Sequence, residues 1–294
     1  MFLKKIRSLI KLVKNLKYIE DRVENTNILL GNIKSDLNNN KKIKNLSETE
    51  FKVFSQWGED GIIDYLIENL FLKNDHIFIE IGVENYLESN TRYLLIKRNW
   101  TGLLIEKSQK DVEFIKKDSI YWKHDLTVLN AFVTKKNINE LILENINSLK
   151  KIGLLSIDID GNDYWIWEAL NSITPCIVVI EYSSRLGKDN SEVIPKIYDE
   201  QFERTKYHYS NIVYGASLKA LIELANKKNY FFAGSNSAGT NAFFIRKDLQ
   251  NEKIKPVSLE EGFVQSKIRE SRDKKGKKIF LSLEEEKKII ESLK

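Results

Sequence analysis

From about residue 51 onward, short apolar runs alternate with longer amphipathic stretches, and this alternation restricts the chain to βα units on a parallel sheet. Strands are predicted at 77–81, 102–106, 120–123, 153–158, 176–181, 230–233 and 242–246. Helical patterns separate the first five. Only Gly234 to Asn241 divide the last two, too few residues for a crossover helix, so those runs should pair antiparallel. The expected fold is α/β and Rossmann-like, with five parallel strands and a terminal antiparallel β-hairpin.

Ahead of this region, Phe2, Ile6, Leu9, Val13, Leu16, Val23, Leu30 and Leu37 repeat at helical and then heptad spacing. The six charges of residues 1–17 are all basic (Lys4, Lys5, Arg7, Lys11, Lys14, Lys17). Residues 1–37 therefore read as a helix that self-associates as a coiled coil, packs on a partner, or lies peripherally on an anionic membrane face. Asn38 to Lys42 reads as a linker. The expected organisation is residues 1–46 as basic helix and linker, 47–250 as the Rossmann-like domain, and 251–294 as a basic loop and helix. In the last part Ser282-x-x-Glu285 forms a capping box.

Charge is unevenly placed. Residues 1–50 carry 11 basic and 6 acidic side chains, residues 51–250 carry 24 and 27, and residues 251–294 carry 12 and 9. The sheet region is thus net acidic, which argues against a nucleic-acid substrate, since phosphate contacts dominate such affinity. A single cysteine, Cys176, and the lack of an apolar run of ~20 residues lead to the expectation of a cytoplasmic protein.

Ligands of doubly wound sheets bind beyond the carboxyl ends of the strands. The predicted strands end in acids: Glu80 before Gly82, then Glu106, then His124 and Asp125, then Asp158 and Asp160, then Glu181. Five acidic strand ends would focus negative charge in one crevice. The first turn, Gly82-Val83-Glu84-Asn85, has one glycine where a dinucleotide loop has three, so it suits a phosphate-free cofactor better than NAD or FAD. Glu106 follows Glu80 by 26 residues, near the ~20-residue offset at which an acid takes ribose hydroxyls.

Several blocks together resemble the FkbM-like branch of the class I S-adenosylmethionine-dependent methyltransferases. They are Phe54-Ser55-Gln56-Trp57-Gly58-Glu59-Asp60-Gly61, Glu80-Ile81-Gly82 with Ser89-Asn90-Thr91, Ser156 to Tyr164, Tyr214 to Leu218, and Gly239 to Phe244. The resemblance spans residues 51 to about 275. The departure is Glu84, where the second loop glycine is missing. The resemblance implies the class I methyltransferase sheet, S-adenosylmethionine as cofactor, and O-methylation of a hydroxyl on a glycan or other small acceptor. By position it implies Glu80 and Gly82 at the methionine end, Glu106 at the ribose, Asp125 at the adenine amine and Asp158 beside the methyl donor.

Asp158, Asp160 and Asp163, with Glu181 from the next strand, also form a hard-cation ligand set of the kind Mg²⁺ takes. Asp158, Asp160 and Glu181 are the candidate catalytic carboxylates. His208, between two tyrosines in the long Ser183–Tyr214 connection, is the candidate histidine base. Two alternatives remain: a Rossmann-like enzyme of nucleotide-sugar chemistry, and a non-catalytic membrane-associated scaffold.

Overall fold

A computed structural model describes residues 2–72, 76–146, 151–268 and 270–292. Its centre is a seven-stranded sheet of β1 (Ile77–Ile81), β2 (Thr101–Glu106), β3 (Leu126–Asn130), β4 (Leu154–Ile157), β5 (Ile177–Glu181), β6 (Tyr230–Ser235) and β7 (Asn241–Arg246). The order is 3-2-1-4-5-7-6; β1 to β5 run parallel and β7 runs antiparallel to both neighbours. This is the five-plus-hairpin sheet expected from the apolar runs.

Strand alternation explains the layers. Phe78, Leu104 and Val179 face one core with helices α2 (Glu59–Asn69), α3 (Arg92–Arg98), α4 (Gln109–Lys117) and α5 (Ser119–Lys123). Ile77, Ile79, Ile105, Ile157 and Ile180 face the other, under α6 (Ile138–Asn145), α7 (Asp163–Ala169) and α9 (Leu218–Lys227). Between β5 and α9, the long connection carries the short helix α8 (Arg204–Tyr207). Beyond β7 come α10 (Leu259–Gly262), a two-stranded ribbon pairing Ser271–Arg272 with Lys278–Ile279, and α11 (Leu283–Glu291), whose Ser282 and Glu285 form the expected capping box. The basic run expected as a plain loop is the turn of that ribbon.

One strand assignment is corrected. Residues 120–123 form helix α5, not the third strand: Asp118 accepts a hydrogen bond from Ile120 N, and only Ile120 is buried while Trp122 is 74% exposed. The true β3 is an edge strand, so only Leu126 and Val128 need burial, too faint a pattern to detect in sequence. His124 and Asp125 consequently precede β3, at the amino edge of the sheet. There the Asp125 carbonyl accepts from Gly102 N and its carboxylate from Thr101 Oγ1. Asp125 is thus at the opposite end of the sheet from the crevice, and the adenine role implied for it does not hold.

The N-terminal helix α1 (Phe2–Asn39) runs through Asn38 and Asn39, where a linker was expected. The side chains of Phe2, Ile6, Leu9 and Val13 lie outside the described residues. The last turns of α1 dock on the body. Ser35 donates to the buried Asp64, which also pairs with Lys97 and Arg98; Asn32 accepts from Tyr93 Oη; and Asn38 donates to Thr49 O. At Gly31 a Cβ would lie 2.9 Å from Val53 Cγ2 and 3.0 Å from Tyr93 Oη, so any side chain here would push those groups aside. Asn69 Nδ2 also donates to Asn39 Oδ1 and Lys97 Nζ to Ser35 Oγ, so deleting residues 1–46, which include the buried Leu46, is expected to lower stability by ~5 kcal/mol or more, from five lost hydrogen bonds at ~1 kcal/mol each. Deleting residues 1–26 should leave the melting curve of the body close to wild type. Thermal denaturation of both truncations checks this, and equal melting temperatures would contradict it.

Candidate active site

The crevice lies beyond the carboxyl ends of β1, β2, β4 and β5. Glu80, on β1, points into the helix-covered core, where its carboxylate accepts from Asn90 N, Thr91 N and Thr91 Oγ1. Burial pushes its pKa up to about 7. Its place is to hold the 89–91 turn over the crevice, and Asn90 Nδ2 from that turn donates to Ser156 on β4.

Gly82 (φ 81°) follows β1 where the chain passes against β4. A Cβ there would lie 1.8 Å from the Asp158 carbonyl oxygen, so glycine is required by the neighbouring backbone. Glu106 closes the turn: Oε2 accepts from Val83 N and Glu84 N, and Oε1 from Ser108 N. Two of the loop amides that a phosphate would need are thereby donated to a carboxylate. Three of about four acceptor positions on Glu106 are filled, leaving one for a hydroxyl.

The acids after β4 are brought together by a turn, not by strand alternation, because β4 ends at Ile157. Asp160 adopts a left-handed backbone (φ 60°), and Gly161 (φ 145°) packs against the Phe202 ring, which a Cβ would meet at 2.3 Å. Asp163 braces this turn by accepting from Ile159 N and Gly161 N, with its pKa raised to about 6 by burial. It is a buried loop brace, which corrects its expected place among the metal ligands. Oxygens of Asp158, Asp160 and Glu181 lie within 4.8 Å of one another. The Asp158 carboxylate is open to solvent at the crevice floor. Desolvation by the surrounding protein and the neighbouring acids hold both Asp158 and Glu181 well above the usual carboxylate range.

Two groups that sequence reasoning missed complete the cluster. Arg204, from α8, donates Nη1 to Asp160 Oδ1 (2.8 Å) and to Tyr214 Oη (2.9 Å), and its guanidinium stacks 4.9 Å from the Tyr214 ring. Tyr214 Oη in turn donates to Glu181 Oε1 at 3.2 Å. Tyr214 opens one of the blocks that carry the family resemblance; Arg204 sits among ordinary surface charges and had no signal. His208 is not brought to the carboxylates by any contact among the described residues. Its Nδ1 lies 2.6 Å from Ser210 Oγ and its ring against Tyr209, so the long connection delivers an arginine where a histidine was expected.

Beside the cluster, Tyr164, Trp165, Glu192, Lys196 and Tyr207 help to line a cavity of about 410 Å³. Its Tyr164 and Trp165 are on α7, which follows the turn carrying Asp160, and its Tyr207 is on α8 with Arg204, while Trp167 is buried in the core.

A 3-2-1-4-5-7-6 sheet, five strands parallel and the last two an antiparallel hairpin, defines the chain as a Rossmann-like α/β protein with acids at its carboxyl strand ends. No family model and no curated protein matches the sequence. Among solved structures, the chain is similar to the N-terminal domain of EvdMO1 with SAH bound, at 9% identity and TM-score 0.40, covering 66% of this chain and 81% of that one. PKMT2 from Rickettsia typhi in complex with AdoHcy gives 11% identity and TM-score 0.44, covering 70% and 56%. The O-methyltransferase from Bacillus cereus in complex with SAH gives 13% and 0.39, covering 75% and 89%.

Proposed function

We propose that this chain is an S-adenosylmethionine-dependent O-methyltransferase of FkbM-like type, acting on a hydroxyl of a glycan or other small acceptor. The observation that carries the reading is the cluster of Asp158, Asp160 and Glu181 within 4.8 Å, where Arg204 pairs with Asp160 alone. Such a crevice has unmet demand for positive charge, which a sulfonium and an ammonium group meet and a pyrophosphate aggravates. The spent amides of Val83 and Glu84 tell in the same direction, against the nucleotide-sugar alternative.

The donor set fits the cofactor. The Asp158 carboxylate accepts no hydrogen bond among the described residues and would face the sulfonium, while the remaining acceptor position of Glu106 would take a ribose hydroxyl. When bound, S-adenosylmethionine supplies an electrophilic methyl group. The chain's own work is to seat the acceptor and receive its proton. Asp160, fixed by Arg204, and Glu181, fixed by Tyr214, stand where an acceptor hydroxyl would be oriented and deprotonated. The aromatic cavity beside α8 suits a sugar face, and Mg²⁺ on the same three carboxylates is a variant of this mechanism in which Arg204 must yield its place on Asp160.

Calorimetry should find binding of S-adenosylmethionine and S-adenosylhomocysteine, and none of NAD or a nucleotide sugar. Asp160→Asn should then lower methyl transfer by ~10² or more with cofactor affinity little changed. Loss of activity in EDTA with recovery on Mg²⁺ selects the cation variant. Binding of NAD or the nucleotide sugar in place of the sulfonium cofactor would overturn the proposal.

A further inference from the structure

The last turns of α1 meet the body through Gly31, Asn32, Ser35 and Asn38. The opposite side carries a line at alternating three- and four-residue spacing: Leu12, Leu16, Ile19, Val23, Thr26, Leu30, Ile33 and Leu37. Its apolar members are 50–60% exposed. A stripe that keeps to a period of 3.5 residues suits another helix that supercoils around it, whereas a helix lying on lipid presents a broader apolar face.

The charges beside the seam select the partner and its direction. Glu20 and Lys34 flank one side and Arg22 and Asp36 the other. Antiparallel pairing of two copies centred at Ile28 sets Ile19 against Leu37, Val23 against Ile33 and Thr26 against Leu30. In the same register Glu20 shares one flank with Lys34 of the second copy and Arg22 shares the other with Asp36, each offset by two residues (~3 Å) and each pair formed twice. Parallel pairing offers none of these matches and sets two uniformly basic 1–17 segments side by side. We propose that residues 19–37 form an antiparallel coiled coil with the same segment of a second copy of this chain, joining two crevice-bearing bodies at opposite ends of a rod of ~28 Å.

Full-length protein at about 50 µM should scatter light as twice 34.3 kDa. Leu30→Asp with Ile33→Asp should halve that mass without loss of folded ellipticity. Glu20→Lys or Lys34→Glu alone should weaken association about fivefold at low salt, since each sets like charges on one flank. The two together should restore wild-type affinity. A monomer at this concentration, a trimer or larger, single reversals without effect, or a chain that stays monomeric and binds anionic vesicles through this seam would each overturn the proposal.

Discussion

Gly82→Ala is expected to be the most damaging single-methyl change in the molecule, lowering stability by more than ~4 kcal/mol and the melting temperature by ~10 °C. The positive φ strains any side chain, but the decisive fact is that the obstructing atom belongs to the Asp158 backbone. That carbonyl cannot retreat, because Ile81 on β1 is in register with Ile157 on β4. Cofactor contact is therefore not the reason for glycine here, although loss of binding would follow from loss of the crevice. Glu84→Gly is the control: its backbone is also left-handed (φ 46°), so glycine should change stability by no more than ~1 kcal/mol. A soluble Gly82→Ala protein that melts like wild type would show that the crevice floor is less tightly set than described.

Asp158→Asn should separate binding from stability. The folded protein holds the Asp158 pKa well above 3.8, so its ionised form is disfavoured in the native state, and stability falls as pH climbs from the unfolded pKa toward the raised one. Asparagine has no charge to accumulate. The variant should therefore melt higher than wild type near pH 8, with the gain vanishing near pH 4. Affinity should move the other way: losing a carboxylate beside a cation costs ~2–3 kcal/mol, or about 30–150-fold, for S-adenosylmethionine, and less for the uncharged sulfur of S-adenosylhomocysteine. Melting curves across pH and calorimetry with both ligands measure the two effects. Unchanged affinity for both would remove Asp158 from the cofactor site.

Buried strands and their acidic ends were legible in the sequence because β1, β2, β4 and β5 are covered on both faces and read as continuous apolar runs. The edge strand β3 was not, because half of it faces water, and the error carried Asp125 to the wrong end of the sheet. The cluster of Asp158, Asp160 and Glu181 was legible from strand-end chemistry. What each acid does was not. Glu80, Glu106 and Asp163 spend their oxygens on backbone amides of nearby turns, a use that depends on conformation and leaves no compositional trace. Arg204 was invisible for a different reason: its importance comes from where a 32-residue connection folds back, and no local period encodes that return.

That connection also has a consequence for how such a crevice can diversify. Its ends are stapled together where Ser183 N donates to Ala216 O, while Val193 and Ile194 pair with Ala216 and Gly215. Residues 184–214 thus leave and re-enter the body at one point, as a graftable cassette whose replacement leaves every strand of the sheet in place. Because doubling such a loop costs only ~0.6 kcal/mol in closure entropy, its length is nearly free to vary. Arg204 and Tyr207 travel with the cassette, whereas Asp158, Asp160 and Glu181 stay with the sheet. On the proposed function, exchanging this one segment would change acceptor preference, and the new segment must supply its own partners in place of Arg204 and Tyr214, which fix Asp160 and Glu181.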